Sequence, residues 1–177
     1  GDQTLTGSGR VHNLEFAKPS GDVLLPSDFS ISGGLLSGTS GHLVNAGGRV
    51  LLGSQVISFA GSIDDVVIDA SCCTNVILSA DLMVNNNLTV TAVNDVVGAA
   101  IKVGGDLVSN DCDLKGTSTF RLVGSGDQTL TGSGRVHNLE VAKPSGDVLL
   151  PSDFSISGGL LSGTGGHLVN TGGRALI

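Results

Sequence analysis

Four histidines are the first residues in this sequence that could bind a metal ion or move a proton. They form two copied pairs, His12/His137 and His42/His167, because the segments that contain them recur in the chain. His12 lies between two apolar positions that alternate toward a core, so its ring is expected to point outward. His42 follows a glycine-rich turn. Since a metal site needs several converging ligands and none is evident, we interpret all four as solvated surface residues.

Acidic side chains near turns could supply oxygen ligands to calcium. Two groups qualify by composition: Asp64, Asp65 and Asp69 form the first, and Asn110, Asp111 and Asp113 form the second. Neither group has a nonapeptide or loop motif that would make calcium binding specific. We therefore predict no metal and no cofactor, with the second group as the weak calcium candidate.

The residues indicate no catalytic site. Polysaccharide-active β-helices place acidic and basic residues on neighbouring coils, whereas near-identical duplication leaves no single differentiated site, and the absence of Trp and Tyr removes the usual sugar-stacking surface. Thr-x-Thr pairs could order water as an ice-binding face, but they are irregularly spaced. Strand propensity explains them better. A polysaccharide-active β-helix and an ice-binding solenoid stay as lesser alternatives, and we predict that the chain is not an enzyme.

Three cysteines fit no disulfide framework and no zinc spacing. Cys72 and Cys73 are adjacent and Cys112 stands alone. A bond from Cys112 to either of the other two is geometrically conceivable, while adjacent cysteines bridge poorly. The sequence leaves open whether these thiols are oxidised.

Composition and charge exclude two classes of partner. The net charge is −7 and the nine basic residues are scattered, whereas nucleic-acid binding needs clustered Lys and Arg. Apolar runs are only a few residues long, so no membrane span is predicted in this segment. The 28 glycines and the many Ser, Thr, Asn and Asp residues supply turns between short stretches of Val, Leu and Ile.

Internal repetition organises the whole sequence. Residues 1–52 recur at 126–177 with only five differences. A fainter match relates 14–38 to 66–90, which gives repeat units 1–53, 54–125 and 126–177, the last a truncated copy of the first. Units of this size divide into coils of about 18 residues, a period typical of solenoids.

Short stretches in which every second residue is apolar predict strands of three or four residues, each followed by turn residues. Such strands become stable when they stack in parallel, about 4.8 Å apart. We therefore predict an all-β, parallel β-solenoid (β-helix), right-handed, with about ten coils in one continuous domain over 1–177. A left-handed hexapeptide helix and an antiparallel sandwich are the alternatives. The predicted inward stacks contain Val23, Leu25, Phe29, Ile31, Val76, Leu78, Leu82, Val84, Val148, Leu150, Phe154 and Ile156.

The run IKVGGDLVSNDCDLKGTSTFRLVGSGDQTLTGSGRVHNLEVAKPSGDVLLPSDFSISGGLL (101–161) resembles the repetitive β-helical stalks of large bacterial surface and secreted proteins. Filamentous-haemagglutinin-like adhesins and autotransporter passenger domains are of this type. The likeness lies in the order of the short motifs "VGGDL", "GSGDQTLTG", "NLEV" and "SISGGLL", and it covers most of the chain. It implies a fold and an extracellular or cell-surface location, with no functional residue attached.

A duplicated sequence that is poor in aromatic residues and has no evident site favours a structural module of an extracellular fibre or stalk. Both ends of the sequence fall in mid-repeat, which we interpret as one segment of a longer repetitive protein or as ends that stack on other copies. The predicted partners are therefore further repeats or copies of the chain, end to end. An adhesin that binds glycans or surface proteins along one face of the solenoid is the alternative.

Overall fold

All regular secondary structure in the part of the chain that the structure describes is β-strand. A computed structural model describes residues 1–7, 9–18, 20–37, 41–45, 47–53, 56–70, 74–110, 116–163 and 165–177. Within these residues there is no helix, and so none with the length and apolar character to cross a membrane. The strands are β1 Gln3–Thr4, β2 Arg10–Phe16, β3 Asp22–Leu25, β4 Phe29–Ser37, β5 His42–Asn45, β6 Val50–Leu52, β7 Val56–Ile57, β8 Ser62–Ile63, β9 Val66–Asp69, β10 Val76–Leu78, β11 Leu82–Val84, β12 Leu88–Thr91, β13 Val96–Gly98, β14 Ile101–Val103, β15 Leu107–Asn110, β16 Thr119–Leu122, β17 Gln128–Thr131, β18 Arg135–Val136, β19 Asn138–Val141, β20 Val148–Leu150, β21 Phe154–Ile156, β22 Leu160–Ser162, β23 Leu168–Asn170 and β24 Ala175–Leu176.

The strands stack in parallel on three sides of a β-solenoid. Side 1 contains β1, β3, β5, β8, β11, β14, β16, β19 and β22 in that order. Side 2 runs from the first half of β4 through β6, β9, β12, β15, β17, β20 and β23. Side 3 contains the second half of β4 with β7, β10 and β13, and then β18, β21 and β24. The long strand β4 turns a corner, so it belongs to two sides.

The coils are slightly longer and fewer than the sequence predicts. Paired residues lie 19 to 23 positions apart, from Val84↔Val103 to Leu107↔Leu130, except between β6 and β9, where Val50 pairs with Val66. Nine strands on side 1 correspond to about eight turns in place of ten. The predicted length of about 18 residues per coil is approximately right but slightly short, because corner residues add length that hydrophobic alternation does not reveal. The right-handed sense stays a prediction.

The duplicated sequence does not return to the same side of the solenoid. From Gln3, six coil steps along side 1 lead to Leu122, and the twin of Gln3, Gln128, begins β17 on side 2. The same displacement holds for β3 and β5 on side 1, whose twins β20 and β23 lie on side 2. The 125-residue offset is therefore six coils and one side, and each repeated strand is displaced by one third of a turn.

One apolar core fills the axis of the solenoid. The twelve residues predicted to form inward stacks are all buried, and a single hydrophobic cluster extends from Phe16 to Ile156. On side 2 the chain of partners Phe29, Val50, Val66 and Leu88 shows how one inward column is built coil by coil. Burying a Val, Leu, Ile or Phe side chain contributes roughly 1.5–3 kcal/mol, so these columns dominate the stability of the fold.

Candidate functional site

Aspartates at the corners tie each coil to the next. The aspartate just before a strand accepts a hydrogen bond from a backbone N–H one coil further on, as Asp81 does from Ala100 at 3.1 Å and Asp106 does from Thr129 at 2.7 Å. The same bond joins Asp2 to the N–H of Asp22, and its twin joins Asp127 to that of Asp147. The signal in the sequence is Asp directly before the first strand residue that follows a corner, as in GDQ, SDF, ADL and GDL, which hydrophobic alternation alone does not reveal. These acidic residues hold the fold together, as helix caps do for helices.

His42 lies in a polar column that crosses four coils. Its Nε2 is 2.9 Å from Asp64 Oδ1, and its Nδ1 is 3.6 Å from Asp22 Oδ1. Asn85 Nδ2 donates to Asp64 Oδ1 at 3.0 Å and lies 3.1 Å from His42 Nε2. The side chain of His42 is 32% exposed, so the interpretation as a solvated residue is wrong for His42. Its twin His167 fits that interpretation, because its side chain is 87% exposed and contacts Asp147 alone among the described residues.

The electrostatics of this column favour an ionised Asp64. Burial raises the pKa of the Asp64 carboxyl, but hydrogen bonds from Asn85, His42 and the backbone N–H of Asn45 outweigh burial and lower that pKa below its usual value. The carboxylate is therefore a fixed acceptor at the centre of the column.

The column resembles a hydrolase triad in residue type only. Asp22, His42 and Ser62 are consecutive partners in one outward row of side 1. A nucleophilic serine needs its histidine nitrogen within hydrogen-bond reach. Here His42 Nε2 is bonded to Asp64, and no hydrogen bond joins it to Ser62 in the described structure. The column is built for cohesion between coils.

A second histidine motif recurs in both copies with the same geometry. His12 Nδ1 lies 3.4 Å from Ser32 Oγ, and in the twin His137 Nδ1 lies 3.3 Å from Ser157 Oγ. Beside each pair an asparagine side-chain oxygen accepts from a glycine N–H, at 2.8 Å from Asn13 to Gly34 and at 3.0 Å in the twin. The local sequence thus builds the same corner twice, on different sides of the solenoid.

In the first copy this corner opens into a cleft of about 410 Å³. Its lining residues are His12, Asn13, Ser32, Gly33, Gly34, Leu36 and Val56. A Cβ on Gly33 would lie 2.5 Å from Asn13 Oδ1 and 2.6 Å from the carbonyl oxygen of His12, so this position needs glycine. We call this the His12 cleft. It combines neutral hydrogen-bonding groups with two aliphatic side chains, a mixture typical of small-molecule sites.

Two polar residues are buried together at one corner of the solenoid. Lys143 has no exposed surface, and its Nζ donates to the carbonyls of Gly124 and Gly126 and to Gln128 Oε1 at 3.0, 2.7 and 2.7 Å. Gln128 Nε2 donates to the carbonyls of Val103 and Gly105. Burial lowers the pKa of Lys143, and the charges of two nearby aspartates oppose that effect. We call Lys143 and Gln128 the corner clip.

The weak calcium candidate lies only partly within the described residues. Asn110 is exposed at the end of β15, where it pairs with Thr91, while Asp111 and Asp113 lie outside the described residues, as do Cys72, Cys73 and Cys112. Asp64 and Asp65 are engaged by asparagine side chains of the next coil. Among described residues, no three His, Cys, Asp or Glu side chains are placed to hold one metal ion.

The threonine pairs do not form one continuous ladder. Thr89 and Thr91 share side 2 with the pair Thr129 and Thr131, but β15 lies between them and carries Val108 and Asn110 in its outward row. Thr4 and Thr119 lie on side 1. The strand between the two threonine pairs of side 2 therefore interrupts them.

No protein-family model, no curated protein and no solved structure matches the chain. The resemblance to β-helical stalks therefore rests on the order of short motifs in the sequence and on the β-solenoid fold.

Proposed function

We propose that the chain is a structural module of an extracellular or cell-surface fibre, extended by tandem repetition along the solenoid axis. The observation that carries this proposal is the displacement of the duplicated sequence by one side. The same residues form a paired strand on side 1, in β3, and again on side 2, in β20. A sequence that forms strands on more than one side can be repeated without a fixed register to the coil.

The local devices that hold the coils together repeat with the sequence. Gly21 and its twin Gly146 lie at equivalent turns of the two copies, with φ of 86° and 74°, in the left-handed region that favours glycine. The corner aspartates likewise reach the next coil in both copies. Every added repeat therefore brings its own inward column, its own corner turns and its own links to the preceding coil, which supports growth of a rod by duplication.

In the coil formed by residues 160–177, two side chains are exposed whose twins in the first copy are buried. Leu35 is fully buried beneath β7, which pairs with it through Ile57, whereas the twin Leu160 is 36% exposed. Leu52 is fully buried and its twin Ile177 is 78% exposed.

Extension of the chain tests the proposal. One variant carries residues 53–177 appended after Ile177, which continues the repeat in phase. We expect a rod longer by six and one third coils, or about 30 Å at 4.8 Å per coil, measured by small-angle scattering and electron microscopy. A matched control carries Asp in place of Leu82 and Val84 in the appended unit, and its extension should stay unfolded. An appended native unit that fails to lengthen the rod would refute extension by duplication.

The location and the axial assembly need separate tests. Antibodies against the chain should label intact cells of the source organism, and protease added outside should remove the epitope; labelling only after permeabilisation would contradict a surface role. Light scattering of the purified chain should show concentration-dependent end-to-end association. Leu161→Asp, on the uncovered coil, should weaken association more than Leu36→Asp, its twin within the rod. Equal effects would contradict axial stacking.

Adhesion is the second candidate function, and the His12 cleft favours it. The corner that forms the cleft is built twice with matching distances, although a purely structural rod needs only the strands and turns around it.

A further inference from the structure

We infer that the His12 cleft binds an uncharged, polyhydroxylated ligand, a sugar unit of a neutral glycan. The inference rests on adhesion as the second candidate function and names the ligand class for it. It is independent of the extension of the rod by tandem repeats.

The hydrogen-bonding capacity of the cleft can be assigned atom by atom. Ser32 Oγ lies 3.4 Å from both the carbonyl oxygen of Val11, to which it donates, and His12 Nδ1. In the tautomer that carries its proton on Nδ1, His12 donates to Ser32 Oγ, and its Nε2 is an acceptor. Asn13 Oδ1 accepts from Gly34 N–H, which leaves the Asn13 Nδ2 group as a donor. Among the described residues neither Nε2 of His12 nor Nδ2 of Asn13 has another partner, so the cleft offers one acceptor and one donor side by side.

The lining excludes charged ligands by chemistry. None of its seven residues is a Lys, Arg, Asp or Glu. An anionic sugar, a phosphate or a sulfate would lose its hydration without a cation to replace it, which is unfavourable. The chain's net charge of −7 disfavours anions further. A hydroxyl group, which both donates and accepts, matches the His12 and Asn13 pair.

Aliphatic side chains provide the second half of the site. Leu36 and Val56 are 36% and 38% exposed at the edge of the cleft, where they can cover the apolar face of a sugar ring. Aliphatic walls replace the aromatic stacking surface that this composition lacks, so each site should be weak. Repetition of weak sites along a rod compensates through avidity.

The twin corner supplies a built-in comparison. His137 and Ser157 reproduce the polar half of the site, and Leu161 repeats Leu36. Residues 126–177 contain no counterpart of Val56, because the matching position would follow Ile177. In this chain the first corner should therefore bind more tightly than the second.

A titration followed by amide NMR of the intact chain tests the inference. Chitotriose and cellotriose serve as uncharged probes, and 3′-sialyllactose serves as the charged one. We expect saturable shifts at the amides of Gly33, Gly34 and Val56 with at least one uncharged probe, and clearly weaker binding of sialyllactose.

Variants then locate the site. His12→Ala should weaken binding about five- to tenfold, the effect of one lost hydrogen bond with its partner group. Val56→Asp, at an exposed position that leaves the core intact, should weaken it at least as much, whereas His137→Ala should leave it unchanged. Absence of shifts with both uncharged probes, equal binding of sialyllactose, or binding that survives both His12→Ala and Val56→Asp would overturn the inference. None of these results bears on the extension experiment, so the two proposals fail separately.

Discussion

The corner clip leads to the sharpest prediction for stability. Lys143 is fully buried, and its ammonium group donates to two carbonyl oxygens and to Gln128 Oε1. Lys143→Met keeps the length and the apolar stem of the side chain while removing the three donors. The twin Lys18 is only half-buried and donates to the carbonyls of Gly1 and Asp22. The two positions therefore compare the same sequence motif at different burial.

The magnitude follows from the groups left without a donor. A buried acceptor that loses its partner costs about 1–3 kcal/mol. Gln128 Oε1 retains a bond from the N–H of Gly124 at 3.1 Å, so two carbonyls carry most of the loss. Relief from burying a charge offsets part of it. We expect Lys143→Met to lower the free energy of unfolding by about 2–4 kcal/mol, against about 1 kcal/mol or less for Lys18→Met at its more exposed corner.

Urea unfolding followed by circular dichroism measures both variants. The midpoint should fall much further for Lys143→Met than for Lys18→Met, with similar slopes. Equal midpoints, or a larger loss at Lys18, would refute the reasoning that burial of the ammonium group makes the clip important. Lys143→Arg is the control that keeps the positive charge but changes the shape of the side chain. Because the guanidinium is too large for the buried corner, this variant should also be less stable than the wild type.

Three further experiments test other features of the fold. Asp64→Ala should lower the free energy of unfolding by about 1 kcal/mol at pH 6. The folded pKa of Asp64 lies below its usual value of 3.8, so this contribution is present above about pH 4 and disappears as the pH falls through the lowered pKa. The unfolding curves of variant and wild type should therefore converge in acid. Asp81→Ala should lower the free energy of unfolding by about 1 kcal/mol. Asp81→Asn keeps an acceptor for the N–H of Ala100 and should lower it less. Equal losses would contradict the role of the corner aspartates as acceptors for backbone N–H groups. Gly48→Ala should lower the melting temperature strongly because its Cβ would overlap the carbonyl group of Ser27, whereas Gly9→Ala, with open space around it, should change it little.

The local features of this fold are predictable from sequence because they have a local cause. Inward residues such as Val76 and Leu78 alternate with outward ones, and period two alone identifies the strand and its buried face. The number of coils is harder, because it depends on corner lengths that carry no hydrophobic signal. The displacement of twins such as β3 and β20 follows from those lengths, and only the structure reveals it.

The polar features escape prediction for a different reason. Gln128 occupies an inward position, where the corresponding residue of GDVLL is Val148 and that of GDLVS is Leu107, so a break in the alternation is visible. Its partner Lys143 follows fifteen residues later and cannot be paired with it without the coil length. His42 shows the same difficulty, since Asp22 and Asp64 reach it from the coils on either side.

The displacement of each copy by one side has a geometric consequence for any rod made of such units. Three successive units advance through nineteen coils before a given strand regains its original orientation, which amounts to a threefold screw axis with a pitch of about 90 Å. An antibody or receptor that approaches from one direction meets an identical epitope only once per pitch. A rod of this kind displays the same chemistry in three directions, so its contacts do not depend on how it lies against a flat surface.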